Sequence, residues 1–224
     1  MKNVTVIAHP LVQHHLARLR DWRTRPREFR QALGAVAALM LYEAARSLAV
    51  RRVRLQTPLA PALGLQLRRK VVLVPVLRAG LGMLDSMLQL IPEAQVGFIG
   101  LKRDETTLQA VFYHQSLPPG LGSCEVILID PMLATGGSAV AAMDLITEFG
   151  ARRVRLINLV AAPEGIRRVR SHYPDLAIFT AAIDRKLNAK GYILPGLGDA
   201  GDRLFGGPAL GVQPRRRARS PAEL

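Results

Sequence analysis

The chain has 224 residues, of which 49% are hydrophobic, and it carries a formal net charge of +14 at pH 7. This length and apolar content predict one compact α/β domain and exclude disorder for most of the sequence. The single cysteine, Cys124, excludes an internal disulfide framework, and no run reaches the roughly 18 apolar residues of a membrane helix, so we expect a soluble cytoplasmic protein.

The positive charge is compatible with several kinds of partner. An excess of 31 Lys and Arg over 17 Asp and Glu is typical of nucleic-acid binding, of a polyanionic small substrate, or of an arginine-rich composition without a ligand. Aromatic residues make up only 5% of the chain, so the basic and aromatic interleaving of single-strand binding is missing. We interpret most of these charges as solvated surface.

The first 70 residues predict elements at the periphery of the fold. Residues 1–26 are expected to form an arm, with a short strand at 4–7 and a helix that begins at Pro10. A stronger helix is predicted from Pro26 to about Leu48, and its apolar face would pack either in the core or against a second subunit. Residues 50–70 hold two prolines and short alternating runs, which indicate a peripheral hairpin.

The rest of the chain alternates apolar runs with helical patterns. The predicted strands are 71–76, 96–101, 126–129, 154–161 and 176–182. The predicted helices are one ending near Leu90, 138–149 and 163–172. This order predicts an α/β fold with a mostly parallel sheet flanked by helices, which binds ligands at the carboxyl ends of the strands. We also expect a β-hairpin flap at 104–118, a late closing loop at 183–206 and a basic, disordered tail at 207–224.

The most informative stretch runs from Glu125 to Ala139. Its apolar run ends in the carboxylate of Asp130, a turn with Gly136 and Gly137 follows, and a helical pattern begins near Ser138. Paired glycines let the backbone approach a ligand closely, and a helix start offers unpaired N–H groups at the positive end of its dipole. The stretch predicts a phosphate cradle with one carboxylate at its edge, although a glycine pair alone also fits a tight strand-to-helix turn.

Two arginines at predicted strand ends favour a second anion site. Arg78 follows the strand at 71–76 and Arg103 follows the strand at 96–101, so both are expected at the same sheet edge as the cradle. Guanidinium groups bind phosphate oxygens through paired hydrogen bonds. Taken singly, each arginine also fits a surface ion pair.

Several enzyme classes are excluded by missing motif residues. Gly80 and Gly82 lack the third glycine of a dinucleotide fingerprint, because Asp85 stands in its place. The cradle has no lysine after its second glycine, which a nucleoside triphosphatase requires. No G-x-S-x-G or H-E-x-x-H motif supplies the nucleophile or zinc site of common hydrolases.

Three separated stretches resemble the uracil branch of the phosphoribosyltransferase family. They are Pro75–Met83 (PVLRAGLGM), Asp130–Ser138 (DPMLATGGS) and Gly191–Asp202 (GYILPGLGDAGD). The resemblance covers residues 2 to 206. The wider family usually has two adjacent acids in the phosphate loop, and Pro131 at the second position is expected in the uracil branch.

The resemblance implies transfer of the 5-phosphoribosyl group from 5-phospho-α-ribosyl 1-diphosphate (PRPP) to uracil, giving UMP and diphosphate in pyrimidine salvage. It implies Mg²⁺ as cofactor, held mainly by substrate oxygens, and catalytic roles for Arg103, Asp130 and Asp199. The residues it assigns to PRPP are Arg78, Arg103, Asp130, Pro131, Met132, Leu133, Ala134, Thr135, Gly136, Gly137, Ser138 and Asp199. The residues it assigns to uracil are Ile193, Gly198, Asp199 and Ala200.

The resemblance also implies how the chain is organised. A single domain is expected at 1–206, with an N-terminal arm and peripheral elements (1–70), a core (71–182) and a base-binding loop (183–206). A homo-oligomer, either dimer or tetramer, and activation by GTP are implied, and no membrane or nucleic-acid partner is expected. The alternative from another class is a nucleic-acid-binding regulator on the same fold, which would use the net charge and the arginines of the tail.

Overall fold

The computed structural model describes residues 3–103 and 110–206. The predicted tail at 207–224, residues 104–109 of the predicted flap and the side chain of Arg103 lie outside the described residues. The elements are, in chain order, β1 (Val4–Val6), α1 (Pro10–Arg20), α2 (Pro26–Ala44), β2 (Val50–Gln56), β3 (Pro61–Leu67), β4 (Val71–Leu77), α3 (Leu81–Leu90), β5 (Gln95–Val96), β6 (Phe98–Arg103), β7 (Ala110–Ser116), a short 3-10 helix (Leu121–Ser123), β8 (Glu125–Ile129), β9 (Met132–Leu133), α4 (Gly137–Glu148), β10 (Val154–Ala161), α5 (Pro163–His172), β11 (Ala177–Ile183), β12 (Lys186–Leu187), β13 (Ile193–Leu194) and α6 (Ala200–Phe205).

Nine strands form one sheet in the order β1-β11-β10-β8-β4-β6-β7, with β5 beside β4 and β9 beside β10. All paired neighbours are parallel except β6 and β7, which run antiparallel. The predicted parallel sheet is confirmed, and β6 with β7 forms the described part of the predicted hairpin. Because the strands are parallel, the carboxyl ends of β4, β6, β8 and β10 lie along one edge.

Helices cover both faces of this sheet. In β8, Ile127 and Ile129 face a cluster that includes residues of α1, α2, α3 and α6, whereas Val126 and Leu128 face a cluster that includes residues of α4 and α5. All four side chains are fully buried. Burial on both faces explains why the strand sequence is continuously apolar rather than alternating. Each such side chain contributes about 1.5–3 kcal/mol of hydrophobic stabilisation.

The predicted N-terminal arm contacts both the sheet and helix α2. Strand β1 pairs in parallel with β11 and forms the sheet edge, and α1 packs against α2 through the buried Val12, Leu16 and Leu19. The apolar face of α2 belongs to the core, as one of the two alternatives predicts. Helix α2 ends at Ala44 rather than near Leu48, since a turn begins at Ala45.

The predicted hairpin at 50–70 is confirmed. Strands β2 and β3 pair antiparallel, with Val50 opposite Leu67, and form a separate two-stranded sheet. Among the residues described, no helix combines the length and apolarity needed to cross a membrane.

Candidate active site

A cavity of about 400 Å³ lies at the carboxyl edge of the sheet. Its walls come from the ends of β4 and β8, the turn before α4, and the segment between β13 and α6. The predicted site residues that line it are Arg78, Asp130, Met132, Ala134, Ser138, Ile193, Gly198, Asp199 and Ala200. Residues separated by up to 122 positions in the chain therefore meet at one site.

Asp130 stands directly after β8, where its backbone N–H donates to the carbonyl of Ile157 at 3.1 Å. Its carboxylate Oδ1 accepts a hydrogen bond from the N–H of Met132 at 3.4 Å. Desolvation raises the pKa of Asp130 to about 7, and the Met132 hydrogen bond, which favours the ionised form, offsets only part of this shift. A carboxylate with such a pKa at a cavity wall is typical of functional sites.

The turn before α4 has the geometry of an anion cradle. Gly136 has φ +79° and precedes Gly137, the first residue of the helix. A side chain at Gly136 would approach the carbonyl of Gly165 to 2.8 Å, and one at Gly165 would approach the carbonyl of Ala134 to 2.4 Å. The first turn of α5 thus packs directly against the cradle. The N–H groups that open α4 have no acceptor within the helix, and groups of this kind bind anions.

Arg78 lies in the turn between β4 and α3, after a cis peptide bond with Leu77. This turn packs closely on the end of β8, because a side chain at Gly80 would meet the carbonyl of Ile129 at 2.7 Å. The Arg78 side chain is 68% exposed, and its Nη2 lies 3.9 Å from Oδ1 of Asp202. An exposed pair at this distance is weak, so the guanidinium is available to a ligand.

The segment from Ile193 to Ala200 forms the opposite wall of the cavity. Gly196 and Gly198 have positive φ values of +63° and +79°, which turn the backbone sharply. Asp199 caps α6, since its Oδ1 accepts the N–H of Asp202 at 3.0 Å. The cap orients the Asp199 carboxylate at the cavity wall.

A larger cavity of about 910 Å³ lies at the other edge of the sheet, beside the β2–β3 hairpin. It reaches Val71, the first residue of β4, and is bordered by basic side chains that include Arg51 and Arg69. Ligands of parallel sheets bind at the carboxyl ends of the strands. We therefore assign the site to the smaller cavity.

A model of the family described as uracil phosphoribosyltransferase matches residues 6–207. A uracil phosphoribosyltransferase of Clostridium kluyveri is 53% identical over 207 residues, which are 92% of this chain and 99% of the relative. One of Dictyoglomus turgidum is 51% identical over 204 residues, 91% of this chain and 99% of that one. The solved structure of the AQ2163 protein from Aquifex aeolicus superposes with a TM-score of 0.89 at 36% identity, covering 93% of this chain and all of that one.

The chain belongs to the uracil phosphoribosyltransferase family. The match spans all the described elements from β1 to α6, apart from the first two residues of β1. Three stretches that resemble this family in sequence therefore line one cavity in a member of it.

Not every residue predicted for PRPP lines this cavity. Pro131, Leu133, Thr135, Gly136 and Gly137 are absent from its lining. The side chains of Pro131 and Leu133 are buried. They lie at β9, which pairs with β10. The carbonyl of Pro131 accepts hydrogen bonds from the N–H groups of Leu159 and Val160 in β10. Pro131 and Leu133 therefore pack beneath the predicted ligand-binding loop, on the side of the sheet, and do not face the cavity.

Sequence reasoning did not assign several side chains to the site, although it left Tyr192 open between packing and ligand contact. Lys190, Tyr192 and Leu101 line the cavity. Lys190 directly precedes the third family motif and Tyr192 lies within it, so the motif itself could have indicated both residues. Arg20 and Arg203 hold the 193–200 segment through hydrogen bonds to its backbone carbonyls, whereas composition alone indicates solvated surface for such arginines.

Proposed function

We propose that this protein transfers the 5-phosphoribosyl group of PRPP to uracil, giving UMP and diphosphate. The observation that supports the proposal most strongly is that Ala134 and Ser138, at the two ends of the anion cradle, lie around one cavity with the Asp130 carboxylate, the exposed Arg78 and residues of the 193–200 segment. Membership of the family supplies the identity of the substrates.

In this proposal each wall binds one part of the substrates. The backbone N–H groups of 134–138 and the hydroxyls of Thr135 and Ser138 hold the 5′-phosphate. The Asp130 carboxylate accepts hydrogen bonds from the ribose hydroxyls. Arg78, together with Arg103 from the end of β6, holds the diphosphate.

Uracil is held by the 193–200 segment in this proposal. Ile193 packs on the base, and backbone groups of Gly198, Asp199 and Ala200 read its O2, N3 and O4 edge. Cytosine reverses the donor and acceptor order at N3 and N4, so these groups would be left unpaired by it. An unpaired buried polar group is costly, which gives selectivity against cytosine.

The reaction joins N1 of uracil to C1′ of the ribose while the bond from C1′ to diphosphate breaks. Diphosphate leaves with the electron pair of that bond, and the N1 proton of uracil is released. Its transition state resembles an oxocarbenium ion, as in glycoside transfer. Uracil is the nucleophile, so the protein needs to orient the two substrates, stabilise the departing negative charge and exclude water. The exposed Arg78 guanidinium suits the second task, since it lies at the cavity edge.

The cavity also fits the Mg²⁺ that the family implies. Within 3–103 and 110–206, no three or more His, Cys, Asp and Glu side chains are grouped to hold a metal ion. The carboxylates of Asp130 and Asp199 line the cavity, so Mg²⁺ would be held mainly by substrate oxygens and water, with these carboxylates beside it. When bound, the ion neutralises charge on the diphosphate.

The family resemblance extends the proposal to a cytoplasmic homo-oligomer, either dimer or tetramer, that GTP activates. Light scattering during size-exclusion chromatography measures the oligomeric state. A titration of GTP into the steady-state assay measures activation.

The test is a diphosphate-release assay with PRPP and Mg²⁺ over a panel of bases, with UMP identified as the product. We expect release that depends on uracil, and a large loss of kcat in Asp199→Asn. This variant is well suited because Asn caps a helix as well as Asp does, so α6 is retained while the charge is lost. Deletion of residues 207–224 should preserve activity. If the wild type releases no diphosphate with any base, the proposed function is wrong.

A further inference from the structure

The middle of the uracil-binding segment is held from outside the cavity. Gly196 does not line the cavity, but it lies between Ile193 and Gly198, which do. Its N–H donates to Oδ2 of Asp184 at 2.7 Å, and its carbonyl accepts from Nη1 of Arg20 at 2.8 Å. Both backbone polar groups of one residue are therefore bound by a single pair of charged side chains.

That pair is bidentate and mostly buried. Nη1 of Arg20 donates to Oδ2 of Asp184 at 2.8 Å, and Nη2 donates to Oδ1 at 2.7 Å. The side chains of Arg20 and Asp184 are 25% and 6% exposed. Paired, charge-assisted hydrogen bonds of this kind fix orientation as well as distance. Arg20 ends α1 and Asp184 follows β11, so the pair joins an N-terminal helix to the sheet edge at the site.

A second arginine connects the same segment to the same helix end. Nη1 of Arg203 donates to the carbonyl of Leu197 at 2.9 Å and to the carbonyl of Leu19, and Nη2 donates to the carbonyl of Asp21 at 2.6 Å. The last carbonyls of a helix lack intrahelical partners, which makes the end of α1 a natural acceptor surface. The Arg203 guanidinium also stacks over the ring of Phe29 at 4.4 Å.

We propose that Arg20 and Asp184 are positioning residues that fix the uracil-binding segment in its binding conformation. Glycines at 196 and 198 make this backbone intrinsically permissive, so an external constraint is needed to fix the groups that read uracil. The inference rests on the proposed function, because it assigns this segment to the base.

The PRPP side of the cavity has different support. The cradle rests on α5 through Gly165, and the Arg78 turn rests on the end of β8. Among the described residues, the side chains of Arg20 and Asp184 form hydrogen bonds only with each other and with Gly196. Asp199 is the one residue of this segment that is also assigned to PRPP, and it is held separately by its cap on α6. Loss of the pair should therefore weaken uracil binding selectively. A purely stabilising role would instead lower the folded fraction without separating the two substrates.

The experiment compares Arg20→Met with Arg155→Met in the full chain. Arg155 is a control of similar burial, since its Nη1 lies 2.6 Å from Oε2 of Glu125 and the two side chains are 13% and 8% exposed. Glu125 also has Arg69 at 3.7 Å, which remains in the variant. Glu125 begins β8 and Arg155 is the second residue of β10, so the pair lies at the opposite edge of the sheet from the cavity. The KM values for uracil and PRPP, kcat and the melting temperature are measured for both variants. Arg20→Lys and Asp184→Asn, which preserve more of the local shape, provide the same comparison if Arg20→Met does not fold.

We expect Arg20→Met to raise the KM for uracil about tenfold or more, because one or two misplaced hydrogen bonds to the base cost roughly tenfold in affinity. The KM for PRPP should stay within about twofold, and Arg20→Lys should lie between the wild type and Arg20→Met. Arg155→Met should lower the melting temperature by a similar amount and leave both KM values unchanged. Equal shifts in the two KM values, no shift in a folded Arg20 or Asp184 variant, or the same uracil shift in Arg155→Met would overturn the inference. Absence of uracil turnover in the wild type would instead refute the proposed function, and this inference with it.

Discussion

Replacement of Asp130 by asparagine should stabilise the protein while it impairs function. Burial raises the pKa of this carboxyl to about 7, whereas an ordinary aspartate titrates near pH 4. The folded state therefore binds more protons than the unfolded state between about pH 4 and pH 7. In this window the free energy of unfolding falls as pH rises. Above about pH 7 the buried carboxylate is ionised and its destabilising effect is complete.

The size of the effect follows from this difference. About 3 pH units at 1.36 kcal/mol each correspond to about 4 kcal/mol at most. Asp130 retains some contact with solvent through the cavity, which reduces the cost, so we expect Asp130→Asn to gain about 1–2 kcal/mol in the free energy of unfolding at pH 8. The gain should be less than half as large at pH 5.

The assay is urea unfolding of the wild type and Asp130→Asn at pH 5 and pH 8. Asp85→Asn serves as control, since Asp85 is exposed on α3 and its replacement should change stability by less than about 0.5 kcal/mol. A loss of stability in Asp130→Asn at pH 8, or a gain that does not depend on pH, would refute the reasoning. The same variant should bind PRPP more weakly, since the ribose hydroxyls lose a carboxylate acceptor.

Three further changes should separate binding from folding. Arg78→Ala should raise the KM for PRPP about tenfold or more in steady-state kinetics and leave the melting temperature unchanged, because its side chain is 68% exposed and an exposed pair contributes at most about 1 kcal/mol. Gly165→Ala should lower both the melting temperature and the affinity for PRPP measured by calorimetry, since the new methyl would approach the carbonyl of Ala134 to 2.4 Å. The kcat/KM for PRPP should fall as pH drops below about 7, because Asp130 becomes protonated. Asp130→Asn should lack this fall in its pH profile. Unchanged PRPP kinetics in Arg78→Ala, unchanged stability in Gly165→Ala, or identical pH profiles would contradict these expectations.

The parts of the fold that can be predicted from the sequence are those with a local signal. Strands β4 and β8 are continuous apolar runs because both of their faces are buried, and the pattern is visible in a few residues. The cradle is predictable because its glycine pair stands directly between a buried strand and a helix start, where backbone N–H groups are free to bind an anion. The predicted end of α2 is too late, since apolar residues at helical spacing continue to Leu48 although the helix ends at Ala44.

The parts that cannot be predicted in this way depend on contacts between distant residues. Arg20 and Asp184 are 164 positions apart, and in the sequence Arg20 is one of several arginines near the N-terminus. The motif from 130 to 138 resembles one binding unit, but Pro131 and Leu133 are buried where β9 adds to β10. Only the tertiary structure separates the residues of a motif that face a ligand from those that support them.

The central claim is that one cavity holds the phosphate, the ribose and the base of a pyrimidine nucleotide. A crystal structure of the protein with UMP tests it most directly. We predict that the phosphate oxygens lie about 2.7–3.2 Å from backbone nitrogens of residues 135–138, that the ribose hydroxyls face Asp130, and that uracil contacts the 193–200 segment. UMP bound outside this cavity, or bound within it with its phosphate away from the turn before α4, would contradict the account.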